Sequence, residues 1–170
     1  MRTLADIDWD RWTPTMRATL LFVLRDGHAL LIRKKRGLGA GLINAPGGRI
    51  EPGETALEAA LREVEEEVGV RPRGAQARGE LSFQFTDGLA LHVHVYTAPD
   101  CEGEVIETDE ALPLWLPVDA LPYDEMWADD RIWVPVMLRG ERFTLRAVFD
   151  GQELLDHTIE HTIEHAAAED

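Results

Sequence analysis

The sequence predicts a mixed α/β fold of the α+β kind, with mostly antiparallel strands, on three observations. Asp-Gly pairs at 26–27, 87–88 and 150–151 each separate two strand-like apolar runs, and such a pair suits the positive φ angles of a tight hairpin turn. Between the first two pairs, a stretch opening at Thr55 carries its apolar residues at helical rather than strand period. The hydrophobic fraction of 45% and charged fraction of 29% are those of a globular protein with an ordinary core. A chain of 170 residues fits one domain, since single domains most often run to about 100–150 residues. That domain is expected over 16–160, with an N-terminal extension at 1–15 and a C-terminal tail at 161–170.

Residues 16–24 (MRATLLFVL) and 28–33 (HALLIR) make the first predicted hairpin, turning at Asp26-Gly27. Eight glycines and prolines crowd residues 37–53, too many for a helix interior, so an irregular loop is expected with a short strand near Ile43. Thr55 is the expected N-cap, with Glu58 three residues on at capping-box spacing, and Ala56, Leu57, Ala60, Leu61, Val64 and Val68 form the apolar stripe. Gly69 is the natural stop. A second hairpin is expected from 79–86 and 89–97, where Phe83, Phe85, Leu91, Val93 and Val95 alternate and His92 and His94 share the opposite face. Residues 111–118 (ALPLWLPV) predict a proline-interrupted edge strand. Residues 128–138 carry helical spacing, and 142–149 with 152–160 form a third hairpin. HTIE occurs twice, at 157–160 and 161–164, which is too few copies for a repeat architecture.

A formal net charge of −15 repels a phosphate backbone, so long nucleic acid is not an expected partner. Arg33, Lys34, Lys35 and Arg36 form one cationic run, enough to hold a polyphosphate but not to track a strand; the expected ligand is therefore a small anion. No apolar run approaches the roughly 20 residues of a membrane span, and the opening MRTLADIDWD has no signal-peptide core. Cys101 is the only cysteine, which rules out an intrachain disulfide and suits a reducing compartment. These features give the expectation of a cytoplasmic protein without membrane contact. A monomer is expected, with a dimer left open. Trp9 and Trp12 are expected to pack locally. His92 and His94, at that spacing and without acidic neighbours in sequence, are assigned no catalytic role.

The chemistry concentrates in GRIEPGETALEAALREVEEEVGV, Gly48 to Val70. On a helix, Glu63, Glu66 and Glu67 stand at i, i+3 and i+4, where their mutual repulsion weakens the helix by a few tenths of a kcal/mol per pair, so a cation is expected among them. Carboxylate oxygens suit magnesium, and glycines just before the helix let backbone groups come close to a metal and an anion. Three glutamates alone are more often a solvated acidic face. The fixed positions Gly48, Glu54, Arg62-Glu63-Val64, Glu66-Glu67 and Gly69-Val70, at their spacing, reverse that choice: the segment resembles the signature of the Nudix hydrolases.

The resemblance extends from Arg33 to Asp156, through KKRGLGAGLINAPGG (34–48), FQF (83–85), LHVHVY (91–96), ETDEALPLW (107–115) and YDEMWADDRIWVP (123–135). These stretches are similar to the branch of the family that hydrolyses oxidised purine nucleoside triphosphates. The resemblance implies the Nudix fold, mixed sheets sandwiched between helices, and magnesium (or manganese) as cofactor. It implies Glu63 and Glu67 as principal metal ligands, Glu66 as ligand or proton acceptor, Glu110 as a further ligand or base, and the Gly47 backbone beside them. Glu54 and Arg62 correspond to a structural ion pair. Asn44 would hydrogen-bond the purine, Trp127 stack on it, and Asp129 with Asp130 read its polar edge, while Thr19, Lys34 and Leu38 line the same pocket. Leu38 and Ile43 stand where a human member has phenylalanine and tryptophan, so stacking on one face of the base is expected. Other nucleoside diphosphate derivatives, such as ADP-ribose or a dinucleoside polyphosphate, and a catalytically silent nucleotide sensor remain alternatives.

Overall fold

The computed structural model describes residues 1–163. Strands β1 (Met16–Arg25) and β2 (His28–Lys34) form a hairpin in which Arg25 pairs with His28. Asp26 and Gly27 carry the turn at φ of 54° and 73°, the left-handed pair that matches strand twist. The loop then passes through β3 (Ile43–Asn44), which pairs with β2, to α1 (Ala56–Val68). The helix opens on the expected capping box. Thr55 Oγ1 accepts from the Glu58 amide at 3.1 Å, and Glu58 Oε1 accepts from the Thr55 amide at 2.8 Å. It closes on Gly69 at φ 81°. Strands β4 (Arg71–Arg73), β5 (Gln76–Phe85), β6 (Ala90–Ala98), β7 (Asp100–Glu102) and β8 (Ala111–Pro117) follow, then α2 (Asp130–Leu138), β9 (Glu141–Asp150) and β10 (Glu153–Ile163).

The main sheet runs β10-β9-β5-β6-β1-β2-β3, with β8 also on β2. Two of its pairings, β1 with β6 and β5 with β9, are parallel and the others antiparallel. Strand alternation divides the buried residues between the two faces. Phe22, Leu31, Leu91, Val93 and Val95 share one cluster with Trp133 and Met137 of α2. Leu21, Val23, Leu30 and Tyr96 share the other with Val64 and Val68 of α1. The sheet is therefore covered by a helix on each side.

Four features depart from the expected elements. β4 and β7 form a small separate sheet, joined also by an Arg73–Glu102 ion pair; at three residues each, neither shows a period. Helix α2 starts at Asp130 rather than 128, because residues 127–130 are spent in a turn closed by the Asp130 amide on the Trp127 carbonyl at 3.0 Å. The third hairpin turns at Gly151 and Gln152, since Asp150 still pairs with Glu153. β10 runs past 160, with Ile163 opposite Glu141. A period of four is a multiple of the strand period, so His157 and His161 keep to one face of β10. The remainder of the expected tail, 164–170, lies outside the described residues.

The first 15 residues lie against the sheet. The Leu4 amide donates to Asp156 Oδ2 at 2.9 Å, Trp12 Nε1 donates to Gln84 Oε1 at 2.8 Å, and the Arg146 guanidinium sits 5.2 Å over the Trp9 ring. Among the described residues, no helix is long and apolar enough to cross a membrane.

Candidate active site

The loop before α1 approaches both β1 and the helix more closely than a side chain would permit. A Cβ on Gly47 would overlap the Thr19 carbonyl, and one on Gly48 would overlap the Glu63 carboxylate. The Thr19 amide bonds the Gly48 carbonyl at 2.8 Å, which fixes the loop on the strand. Arg62 fixes it on the helix. Its Nε and Nη2 meet the two Glu54 oxygens at 2.6 and 2.9 Å, and Nη2 also donates to the Arg49 carbonyl at 3.0 Å. The Arg62 hydrogen bonds hold the Glu54 carboxyl down at about 2.

Within this brace, Glu67 is 3% exposed and its Oε1 accepts from the Gly47 amide at 2.8 Å. Burial pushes its carboxyl up to about 8; the Gly47 amide and Lys34 oppose the rise, while Glu63 and Glu110 add to it. Glu63 is also raised by burial, against the pull of Arg62 at 3.1 Å. Glu110 sits near enough to act on both and is capped by Arg36 Nη2 at 3.4 Å. Glu66 stands apart, half exposed and paired with Arg62 Nη1 at 3.1 Å. Buried, repelling carboxylates held up in this way are short of positive charge, and their all-oxygen donor set fits a hard divalent cation.

Glu67 and Gly47 line a cavity of about 320 Å³ together with Thr19, Lys34, Leu38, Asn44, Trp127, Asp129 and Asp130. Asn44 Oδ1 accepts from the Ala45 amide at 2.8 Å, so what it offers a ligand is chiefly its NH₂ group. Trp127 is set by the edges of Phe85 and Phe149, at 6.1 and 5.6 Å between centroids. Asp129 occupies the cap position of α2, but its side chain does not cap; Oδ2 accepts from Trp133 Nε1 at 2.7 Å. Asp130 Oδ2 is the one buried side-chain polar atom among the described residues without a hydrogen-bond partner. Burial raises both acids, Asp129 to about 6 and Asp130 well above the usual carboxylate range, with the Asp129 charge adding to the latter.

The cationic run expected to hold a polyphosphate is largely spent on acids. Arg33 bonds Glu125 at 2.7 Å, Lys35 bonds Glu107 at 2.5 Å and Arg36 faces Glu110. Alternation along β2 leaves Lys34 as the member that lines the cavity, joined by Arg49 from the loop. Ile43 is 2% exposed in the core and does not line the cavity, while Leu38 lies at its rim, 45% exposed. Phe149 and Arg49 had no local signal, since each reaches the cavity only through strand or loop pairing. Trp133, which flanks the two acids in the sequence, lies one helical turn beyond Asp129 on α2 and orients it.

The reading of His92 and His94 as lacking acidic neighbours is corrected by the fold: β5 brings Glu80 Oε1 to 2.8 Å from His92 Nε2. The three lie away from the cavity.

A cavity that joins a buried metal-type carboxylate to an aromatic, hydrogen-bonding wall suits a ligand with a charged tail and a flat polar head. The model of the NUDIX domain matches residues 14–137. The oxidized purine nucleoside triphosphate hydrolase of Danio rerio is 40% identical over 144 residues, covering 84% of this chain and 92% of that protein. The protein of the same name from Mus musculus is 36% identical, covering 81% and 88%. Among solved structures, a MutT protein from Bacillus halodurans superposes with a TM-score of 0.77 at 27% identity, covering 85% of this chain and 97% of that one. With the signature loop, the carboxylate-bearing helix and the domain match in agreement, the chain belongs to the Nudix family of hydrolases.

Proposed function

We propose that this protein hydrolyses oxidised purine nucleoside triphosphates, 8-oxo-dGTP and also 2-hydroxy-dATP, to the monophosphate and pyrophosphate, with magnesium as cofactor and manganese as a substitute. The observation that carries the reading is the buried Asp129–Asp130 pair beside Trp127, with one carboxylate oxygen lacking a partner inside the cavity. Trp127 supplies a stacking face, Asn44 a donor, and the two acids a donor and an acceptor once one of them keeps its proton. Two adjacent acids that exchange the proton can meet more than one pattern of oxidised base. Thr19 and Leu38 shape the walls of this slot.

Glu63 and Glu67 would hold the metal, with the Gly47 backbone and Glu110 as further ligands, and Glu66 or Glu110 would take the proton from the attacking water. Magnesium, when bound there, would neutralise phosphate charge and lower the pKa of that water. Lys34 balances charge on the same chain of phosphates, and Glu54 with Arg62 keeps the loop in register with the helix. Attack falls on the β phosphorus. Removing oxidised nucleotides from the precursor pool limits DNA damage, and the cytoplasm holds that pool.

Chromatography of the products from 8-oxo-dGTP tests the reading: monophosphate and pyrophosphate support it, and diphosphate with orthophosphate, or no turnover, overturns it. A preference between the two oxidised bases that is the same in Asp129→Asn as in the parent would remove the proton-exchange part.

A further inference from the structure

Outside the cavity, one cluster of ligand-type side chains is assembled by the fold. β5 and β6 are antiparallel, and their register sets Glu80 opposite His94 and Ser82 opposite His92. Leu91 and Val93 line the cavity, so His92 and His94, displaced by one residue, project from the other face of β6. Their rings lie 5.0 Å apart at 82°. Glu80, diagonal to His92, reaches its Nε2 at 2.8 Å. One ligand atom from each of Glu80, His92 and His94 falls within 4.8 Å of the other two.

We propose that Glu80, His92 and His94 form a separate site for one divalent transition-metal ion of the zinc class, on the sheet face turned away from the Leu91–Val93 wall of the cavity. Two imidazoles and one carboxylate are a donor set that zinc and cobalt take, leaving a fourth position for water. Magnesium prefers oxygen ligands, so the site discriminates against the ion suited to the glutamates of α1. Ser82 Oγ lies 3.1 Å from His92 Nδ1, which is the outer partner that fixes a ligating imidazole so that Nε2 faces the ion. Without an ion, the Nε2–H tautomer donates to Glu80 Oε1 and Nδ1 accepts from the Ser82 hydroxyl; with an ion bound, the ring would take the other tautomer, donating Nδ1–H to Ser82 and turning the Nε2 lone pair to the metal, with Glu80 beside it.

The surroundings agree with a built site. The His92 side chain is 15% exposed, and Glu80 is 53% exposed and leaves an entry from solvent. Trp12 lies 6.5 Å from His92 and is itself tied to Gln84 of β5, so the ion would sit beside the N-terminal segment and cross-link β5 to β6. Arg17, on β1 opposite His92, is a nearby positive charge. The Glu80 carboxylate offsets it. The site stands independently of the nucleotide reading.

The test is a cobalt titration of metal-free full-length protein in a Glu63→Gln/Glu67→Gln background, which disables the ligands assigned on α1. One equivalent of cobalt is expected to give the intense visible bands of a four-coordinate ion. The bands should resist excess magnesium and be displaced by zinc. His94→Asn or Glu80→Gln should weaken binding by more than about 100-fold, and Ser82→Ala by about 10–100-fold, the usual effect of losing an outer partner. A His157→Gln/His161→Gln variant, which removes exposed histidines of β10, should keep the bands. Circular dichroism matched to the parent shows that each variant is folded, and Ser82→Ala is mild enough to serve if the others are not. Absence of four-coordinate bands, or bands unchanged in His94→Asn and Ser82→Ala, would overturn the proposal.

Discussion

Replacing Asp129 by Asn removes one of two buried acids and is expected to change how stability depends on pH. Burial carries the Asp129 carboxyl from 3.8 to about 6, so the folded protein keeps a proton that the unfolded chain releases. At 1.36 kcal/mol per pH unit, about two units correspond to about 3 kcal/mol. The sign follows from the direction: the folded-state value is raised, so the contribution is fully present below about pH 4 and is lost as pH rises through about 6. Asp130 is raised further, partly by the Asp129 charge, and loses that part when its neighbour becomes an amide. The new amide oxygen can still accept from Trp133 Nε1, so packing is preserved. Urea denaturation of parent and variant at pH 4, 5, 6 and 7 isolates the effect from the chain's other carboxylates. The variant should gain about 3 kcal/mol relative to the parent between pH 4 and 7. Parallel stability curves would refute the argument that this pair is buried and shares its protons.

Other perturbations separate the carboxylates of α1, the aromatic wall of the cavity and the scaffold from one another. Glu67→Gln is expected to lower turnover at least about 100-fold in steady-state assays, the scale of lost metal or proton-transfer function. Trp127→Ala removes a stacking face worth about 1–3 kcal/mol, so KM for the nucleotide should rise by about 10–100-fold with a smaller change in kcat. Thr55→Ala deletes the cap of α1 and should cost about 1 kcal/mol by chemical denaturation, with activity per folded molecule retained.

Much of the fold was legible because its signals are local. Asp26-Gly27 and the Thr55–Glu58 box each specify a backbone geometry within four residues, and both formed as expected. The carboxylates of α1 and the acids at 129–130 could be named from spacing and resemblance. Their environments could not, because those are made by distant chain. Glu67 is raised by burial under a loop 20 residues earlier, and the Asp129 partner Trp133 depends on where α2 begins. Strand pairing decided the rest. Alternation along β2 gave Arg33 to Glu125 and left Lys34 at the cavity, while Lys35, just past the end of the strand, pairs with Glu107. The β5–β6 register, with a bulge between Ala77 and Gly79, placed Glu80 beside two histidines that in sequence had no acid near them. Strands as short as β4 and β7 carry no period from which to be read.

The central claim is that the slot around Trp127, Asp129 and Asp130 selects an oxidised purine for the glutamates of α1 to act on. Its most direct test is kcat/KM measured with magnesium at matched concentrations for 8-oxo-dGTP, 2-hydroxy-dATP, dGTP and ADP-ribose. The expected result is a clear preference for one or both oxidised purines over dGTP, with ADP-ribose the poorest. Turnover of ADP-ribose alone, or equal turnover of dGTP and 8-oxo-dGTP, would contradict the assignment of that slot.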